Sequence, residues 1–403
     1  MDNSAKEITS SHLGMELEQY LLAYRSAIMS PPDWFGPWRY EKGRANIEII
    51  SALGRDGIVN VDDLSVSTLR SILHHSYSPT GRRELGSPAL ISGCIRILKS
   101  IRDEIGESPF RFELGFLCFH VIAIGMGGCL IERGQELGFE VNSITFGSEI
   151  PKIYEVPVDT SQVIVELGSH VGGRQRDSHN CMLGWSPCPE HKQGSPVVSL
   201  GEAGALLDLL YMDRHLFLGV LRSTYLPGLS AITFILWRYV TYQRFLNGPN
   251  KAQYYFAALQ EVLWRCFLVS TPHEQASFQH IYQWDKELWP KQSQKPKAEI
   301  HHSKLVIGTF IDRLSPVPMI GVSGNTPRSV LLSDLVNSFN YVASYFQPGC
   351  EDLIAGYFGV VIEHMWCIKS MPESDPQFNR AIGTSMLAAF CPYDPVARSP
   401  HQY

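Results

Sequence analysis

The sequence predicts a mainly α-helical protein, an irregular multi-helix body of packed antiparallel helix pairs with a loop-rich insertion. Apolar residues recur at helical spacing in long segments, whereas short alternating β-branched segments are few. Steps of 100° per residue gather the apolar side chains of residues 202–222, 254–269 and 352–369 on one face of each segment. Such faces must be buried against one another, which favours packed helices.

Local end signals support the individual helices. Ser199 and Glu202 have the spacing of a capping box, which satisfies free amides at a helix start. Prolines 88, 227, 272 and 327 stand near candidate first turns, where a missing amide costs little. Further helices are predicted at residues 14–29, 44–53, 62–76, 88–105, 110–137, 227–247, 272–288, 301–314, 327–346 and 376–390.

The loop-rich insertion spans residues 138–200, which are rich in Gly, Pro and Ser. Within it, residues 138–146 and 161–167 are short and β-branched, and they form a candidate β-hairpin. Further breaks at 290–297 and 315–327 predict a helical lobe at 14–290 and a C-terminal lobe at 298–392. One continuous domain is the alternative.

Composition and charge restrict the class of protein. With 44% hydrophobic and 18% charged residues among 403, the chain can bury a core and is unlike a disordered protein. A net charge of -6 gives no general reason to expect nucleic acid as a partner. The polar start and the odd number of cysteines, 9, predict a reducing compartment, the cytoplasm, with the nucleus as the alternative.

The most membrane-like stretch is residues 114–131, which approaches the length of a membrane span. It carries His120 and several glycines, which favour a buried core helix. No membrane span is therefore expected.

Ligand-type residues are densest in the insertion. Thiolates and imidazoles bind zinc, and the pairs His179 with Cys181 and Cys188 with His191 could meet at one tetrahedral ion. The spacing matches no zinc module, so the competing interpretation is an ordinary loop with exposed His and buried Cys. These residues form the candidate metal site, with zinc as the candidate cofactor.

Other polar residues favour structural roles. The adjacent pairs His74 with His75 and His301 with His302 diverge on a helix and are expected to be solvent-exposed. Arg214 and His364 fall within apolar arcs, so each is expected to find a partner or to reach water.

Short catalytic signatures are absent: the sequence contains no nucleophile elbow, phosphate-binding loop or metalloprotease motif. The leading hypothesis is therefore a non-catalytic interaction or scaffold protein that binds a protein partner. The alternative is a helical enzyme with a pocket between helices, assisted by zinc.

Overall fold

The computed structural model describes most of the chain and confirms the mainly α prediction. Its described part is 83% helical and contains no strand. An isolated β-bridge joins Glu16 to Phe112. The described residues are 13–27, 39–56, 64–76, 79–139, 155–169, 175–186, 195–224, 226, 228–270, 272–288, 299–315 and 332–369.

Contacts between residues group the chain into two compact units: unit 1, Met1–Lys286, and unit 2, Glu287–Tyr403. The predicted lobe limits at 290 and 298 fall outside the described residues and stay predictions. The helices of unit 1 are α1 Leu17–Ala27, α2 Arg39–Asp56, α3 Val66–His75, α4 Pro79–Leu85, α5 Pro88–Ile105, α6 Glu113–Glu136, α7 Glu155–Ser169, α8 Gln175–Met182, α9 Leu200–Met212, α10 Arg214–Thr224, α11 Leu229–Asn247, α12 Gln253–Val269 and α13 Pro272–Trp284. Those of unit 2 are α14 Ile300–Leu314, α15 Leu332–Ala343 and α16 Ile354–Lys369.

Helix α6 lies at the centre of unit 1, where it packs against α3, α4, α5, α7 and α11. By length and composition it could cross a membrane, but 83% of its most apolar window is buried inside the structure. This burial is what the core-helix interpretation of residues 114–131 predicts.

The predicted helix at residues 202–222 is two helices. The capping box at Ser199 and Glu202 is present as expected. Helix α9 ends at Met212, and the next residue, Asp213, has φ −96° and ψ 17°. The carboxylate of Asp213 is held 2.7 Å from Nη1 of Arg102 on α5. A long-range ion pair thus accompanies the break, and apolar periodicity alone does not reveal it.

The insertion is more helical than predicted. Residues 161–167, expected as one strand of the hairpin, lie within α7, and α8 follows in the same segment. Helix α7 packs against α6, α11 and α13, so tertiary burial overrides the β-branched composition. Residues 140–146 of the other expected strand, and the whole predicted helix at 376–390, lie outside the described residues.

The prediction that His74 and His75 are solvent-exposed is wrong. Both are buried in α3, and Nε2 of His75 lies 2.7 Å from Oε2 of Glu84 on α4. Helix α3 packs against both α2 and α6, so both side chains are covered although they diverge.

Buried Glu113, at the start of α6, joins the N-terminal segment to the core. Its carboxylate accepts hydrogen bonds from the Tyr24 hydroxyl at 2.7 Å and from Arg70 Nε at 2.9 Å. The backbone amide of Met15 donates to the other oxygen at 3.3 Å. One carboxylate therefore connects α1, α3 and α6.

We predict that Glu113→Gln lowers the free energy of unfolding by about 2 kcal/mol, because the amide loses the charge facing Arg70 and presents N–H groups to other donors. Urea denaturation measures this loss. Hydrogen exchange at the amides of residues 17–27 should also accelerate. Glu136→Gln, at an exposed position on the same helix, is the control and should change stability by less than about 0.5 kcal/mol. Unchanged exchange in α1 would contradict this role of Glu113.

In unit 2, α14 packs against α15 and α16 around an aromatic core. The Tyr357 ring lies 4.8 Å from that of Phe339 and 5.2 Å from that of Phe310. Its hydroxyl donates to the carbonyl oxygen of Phe339 at 3.0 Å. His364 on α16 is buried and does not lack an interaction partner, which agrees with the expectation that it finds a partner or reaches water.

Candidate functional site

His179, the first residue of the predicted metal site, lies on α8 and is almost completely buried. Its ring centroid is 5.1 Å from that of Trp284 on α13. The rings of Phe234 and Trp237 on α11 are each 5.7 Å away. Aromatic side chains from neighbouring helices therefore enclose the imidazole.

Among the described residues, neither ring nitrogen of His179 has a hydrogen-bond partner, and the buried indole N–H of Trp237 also lacks one. Burial, together with the positive charge of Arg238, lowers the pKa of His179 to about 3. Arg238 is itself held by Asn180, whose Oδ1 accepts from Nη2 at 2.9 Å. The imidazole is therefore neutral at physiological pH and retains a free lone pair.

Cys181 is on the same helix, two residues after His179, and is partly exposed. Two residues correspond to about 200° of rotation on an α-helix, so the two side chains leave the helix on different sides. Cys188 and His191 lie outside the described residues. Within the described part of the chain, no three His, Cys, Asp or Glu side chains are grouped closely enough to hold a metal ion.

A second group of side chains lies where α9, α11 and α12 pack together, and we call it the tyrosine cluster: Tyr211, Tyr239, Tyr254 and Tyr255. Tyr254 is within 5.9 Å of Tyr211 and 5.6 Å of Tyr255 between ring centroids, and Tyr239 is 5.7 Å from Tyr255. Each of these contacts is edge-to-face, the favourable geometry for aromatic pairs.

Asp208 supplies a carboxylate to the tyrosine cluster. It hydrogen-bonds to Tyr254, while its Oδ1 atom is buried and has no hydrogen-bond partner in the described part of the chain. Burial raises the pKa of Asp208, and the hydrogen bond from Tyr254 opposes that effect. The same burial and the nearby carboxylate raise the pKa of Tyr254. No Lys, Arg or His of the described chain forms an ion pair with Asp208.

Gly204 allows α9 and α11 to pack closely beside Asp208. A Cβ atom at Gly204, one turn before Asp208, would meet the Tyr239 hydroxyl at 2.6 Å. Tyr211 also packs against a cation, because the guanidinium carbon of Arg214 lies 4.9 Å from its ring centroid. Arg214 thus has an aromatic partner and a backbone acceptor, the carbonyl of Tyr211 at 3.1 Å.

Large apolar side chains are exposed on the three helices that carry the tyrosine cluster. Phe245 is 73% exposed, Leu246 56%, Met212 51% and Tyr254 49%. Leu246 follows Tyr239 by two turns of α11, and Met212 follows Asp208 by one turn of α9, so each shares a face with a cluster residue. We call Met212, Phe245, Leu246 and Tyr254 the apolar end.

Sequence reasoning missed the tyrosine cluster. Asp208 falls on the polar face of its predicted helix, and Tyr255 belongs to an apolar stripe. The cluster is assembled from side chains of three separate helices, so no single amphipathic segment indicates it.

Comparison of the chain with protein-family models, with curated proteins and with solved structures finds no match.

Proposed function

We propose that this protein is a helical interaction protein whose partner, another protein, binds at the apolar end. Exposed single apolar residues are ordinary on protein surfaces, whereas a concentration of them favours a binding site. Four such side chains lie on three helices that pack together, near the ends of α9 and α11 and at the start of α12. This concentration is the observation that carries the proposal.

The surrounding residues support this choice. On the same helices, Leu207, Leu210, Phe234 and Leu259 are completely or almost completely buried. Exposure at the apolar end is therefore a local departure from the burial of these helices. We further propose that neighbouring helices pack antiparallel and that the protein is cytoplasmic. The lack of a disulfide among the described cysteines supports the proposed location.

Photo-crosslinking tests the proposal. A benzoylphenylalanine placed at position 245 in cells should give a discrete adduct, whereas the same group at exposed position 42 on α2 should not. The partner, identified by mass spectrometry and purified separately, should bind the wild-type chain. Leu246→Asp should weaken that binding about tenfold or more, because it places a charge in an apolar interface.

Lys42→Asp is the matched control, since it adds the same side chain at an exposed site on α2, a helix that packs against α3, α4 and α5. Circular dichroism should be identical for both variants and the wild type. Equal affinity of the partner for Leu246→Asp and for the wild type would refute the proposal, as would equal crosslinking from positions 245 and 42.

The second candidate is a zinc-assisted enzyme with a site between helices. Its support is the neutral, unpartnered imidazole of His179, because a metal ligand must offer a lone pair. The proposed ligands are His179, Cys181, Cys188 and His191. The divergence of His179 and Cys181 on α8 means that both could bind one ion only after a local change in the helix.

Metal analysis tests this second candidate. Tag-free protein should contain about one zinc per chain, and Cys188→Ser should lower that content. Cys94→Ser changes a buried cysteine on α5 and is the control, with zinc content unchanged. Protein free of stoichiometric zinc after purification without chelators would eliminate this candidate.

A further inference from the structure

We propose that the tyrosine cluster and Asp208 bind an arginine side chain of the partner protein. The proposal rests on the proposed function and names the chemistry that the apolar end recognises. Aromatic faces attract cations through their negative π-systems, and a nearby carboxylate supplies the opposite charge. Both the aromatic rings and the carboxylate are present here, because Asp208 hydrogen-bonds to Tyr254 of the cluster.

The unsatisfied carboxylate oxygen is the first line of support. A buried acceptor without a partner costs free energy, and a charged donor stabilises it strongly. Oδ1 of Asp208 is such an acceptor. Its one described hydrogen-bonding neighbour, Tyr254, is half-exposed, so that side chain can rotate away from Asp208 without opening the core.

The ring geometry is the second line of support. The Tyr254 ring is inclined at 89° to Tyr211 and at 72° to Tyr255, so the rings form walls at steep angles to one another. Such walls favour a cation that can contact more than one ring. The Tyr211 ring already packs with the guanidinium of Arg214, so a contact of this kind occurs within the chain itself.

Guanidinium fits better than ammonium for two reasons. It is planar and weakly hydrated, so it stacks on aromatic rings at a smaller desolvation cost. Its several N–H groups can also reach a carboxylate while the plane packs on a ring. The exposed side chains of Met212 and Leu246 would pack against apolar residues that flank the arginine in the partner sequence.

A tripeptide titration tests the inference directly. The probe is acetyl-Leu-Arg-Leu-amide, added to the full chain and followed by saturation-transfer NMR. The comparison peptides contain citrulline, which has the same shape without the charge, or lysine. We expect the arginine peptide to bind about fivefold more tightly than either comparison peptide.

The protein variants supply the second comparison. Asp208→Asn should weaken binding of the arginine peptide about fivefold or more, while Glu136→Gln, which neutralises an exposed carboxylate on α6, should leave it unchanged. Equal binding of the citrulline or lysine peptide to the wild type would overturn the inference whether or not Asp208→Asn folds. Full binding of the arginine peptide by folded Asp208→Asn would also overturn it.

These outcomes are separable from those of the proposed function. A partner that crosslinks at position 245 and binds Asp208→Asn as tightly as the wild type would leave the interaction surface standing and remove the arginine site. Loss of the position-specific crosslink would remove the interaction surface itself.

Discussion

Replacing Gly93 with alanine is expected to destabilise unit 1 by about 3 kcal/mol, because α2 and α5 cross with their backbones in contact. A Cβ atom on Gly93 would lie 2.2 Å from the carbonyl oxygen of Ile50. At the facing position, a Cβ on Gly54 would lie 2.1 Å from the carbonyl oxygen of Ala89. Neither obstacle is a flexible side chain, so the helices must separate and lose packing along their shared surface.

Urea denaturation, followed by the helical circular dichroism signal, measures the effect of Gly93→Ala as a lower unfolding midpoint. Gly201→Ala is the matched control, because Gly201 is also helical and a Cβ there would meet nothing within 4 Å. Alanine has the higher helix propensity, so this control should be neutral or stabilising by up to about 1 kcal/mol. Similar midpoints for Gly93→Ala and wild type would show that the close crossing of α2 and α5 is wrong.

Most helices could be predicted from the sequence because their signal is local. Residues 254–269 and 352–369 carry apolar stripes, and the structure has α12 and α16 at nearly the same positions. The break at Asp213 could not be predicted, since the stripe continues through it and the residue that pairs with Asp213, Arg102, is distant in the chain. Residues 161–167 were predicted as a strand from their β-branched side chains, but they are helical because they are buried against neighbouring helices.

The candidate sites were less predictable than the fold. His179 was selected as a metal-ligand type, but its aromatic enclosure by Trp237 and Trp284 depends on helices remote in sequence. Asp208 gave no local signal, because an acidic residue on the polar face of a helix is ordinary. Its significance follows from the tyrosines that α11 and α12 bring to it.

Acidification from pH 6.5 to pH 4 is expected to remove about 3 kcal/mol of stability through His120 alone. This histidine on α6 is partly exposed, yet both of its ring nitrogens are buried and no described residue forms a hydrogen bond with them. Burial lowers its pKa from 6.5 to about 4. Below pH 6.5 the unfolded chain therefore takes up a proton that the folded protein takes up only near pH 4, and the unfolded state gains stability over that interval.

The variant His120→Leu isolates this contribution because leucine is apolar and leaves no polar atom unsatisfied. Its unfolding free energy should fall less steeply than that of the wild type, and by pH 5 the difference between their losses should reach about 2 kcal/mol. Leu117→Met alters the same helix without removing a titrating group, so its pH dependence should match the wild type. Parallel curves of unfolding free energy against pH for His120→Leu and the wild type, between pH 6.5 and pH 4, would mean that this imidazole takes up a proton in the folded protein. Helix α6 would then be less tightly enclosed than its packing against α3, α5 and α7 indicates.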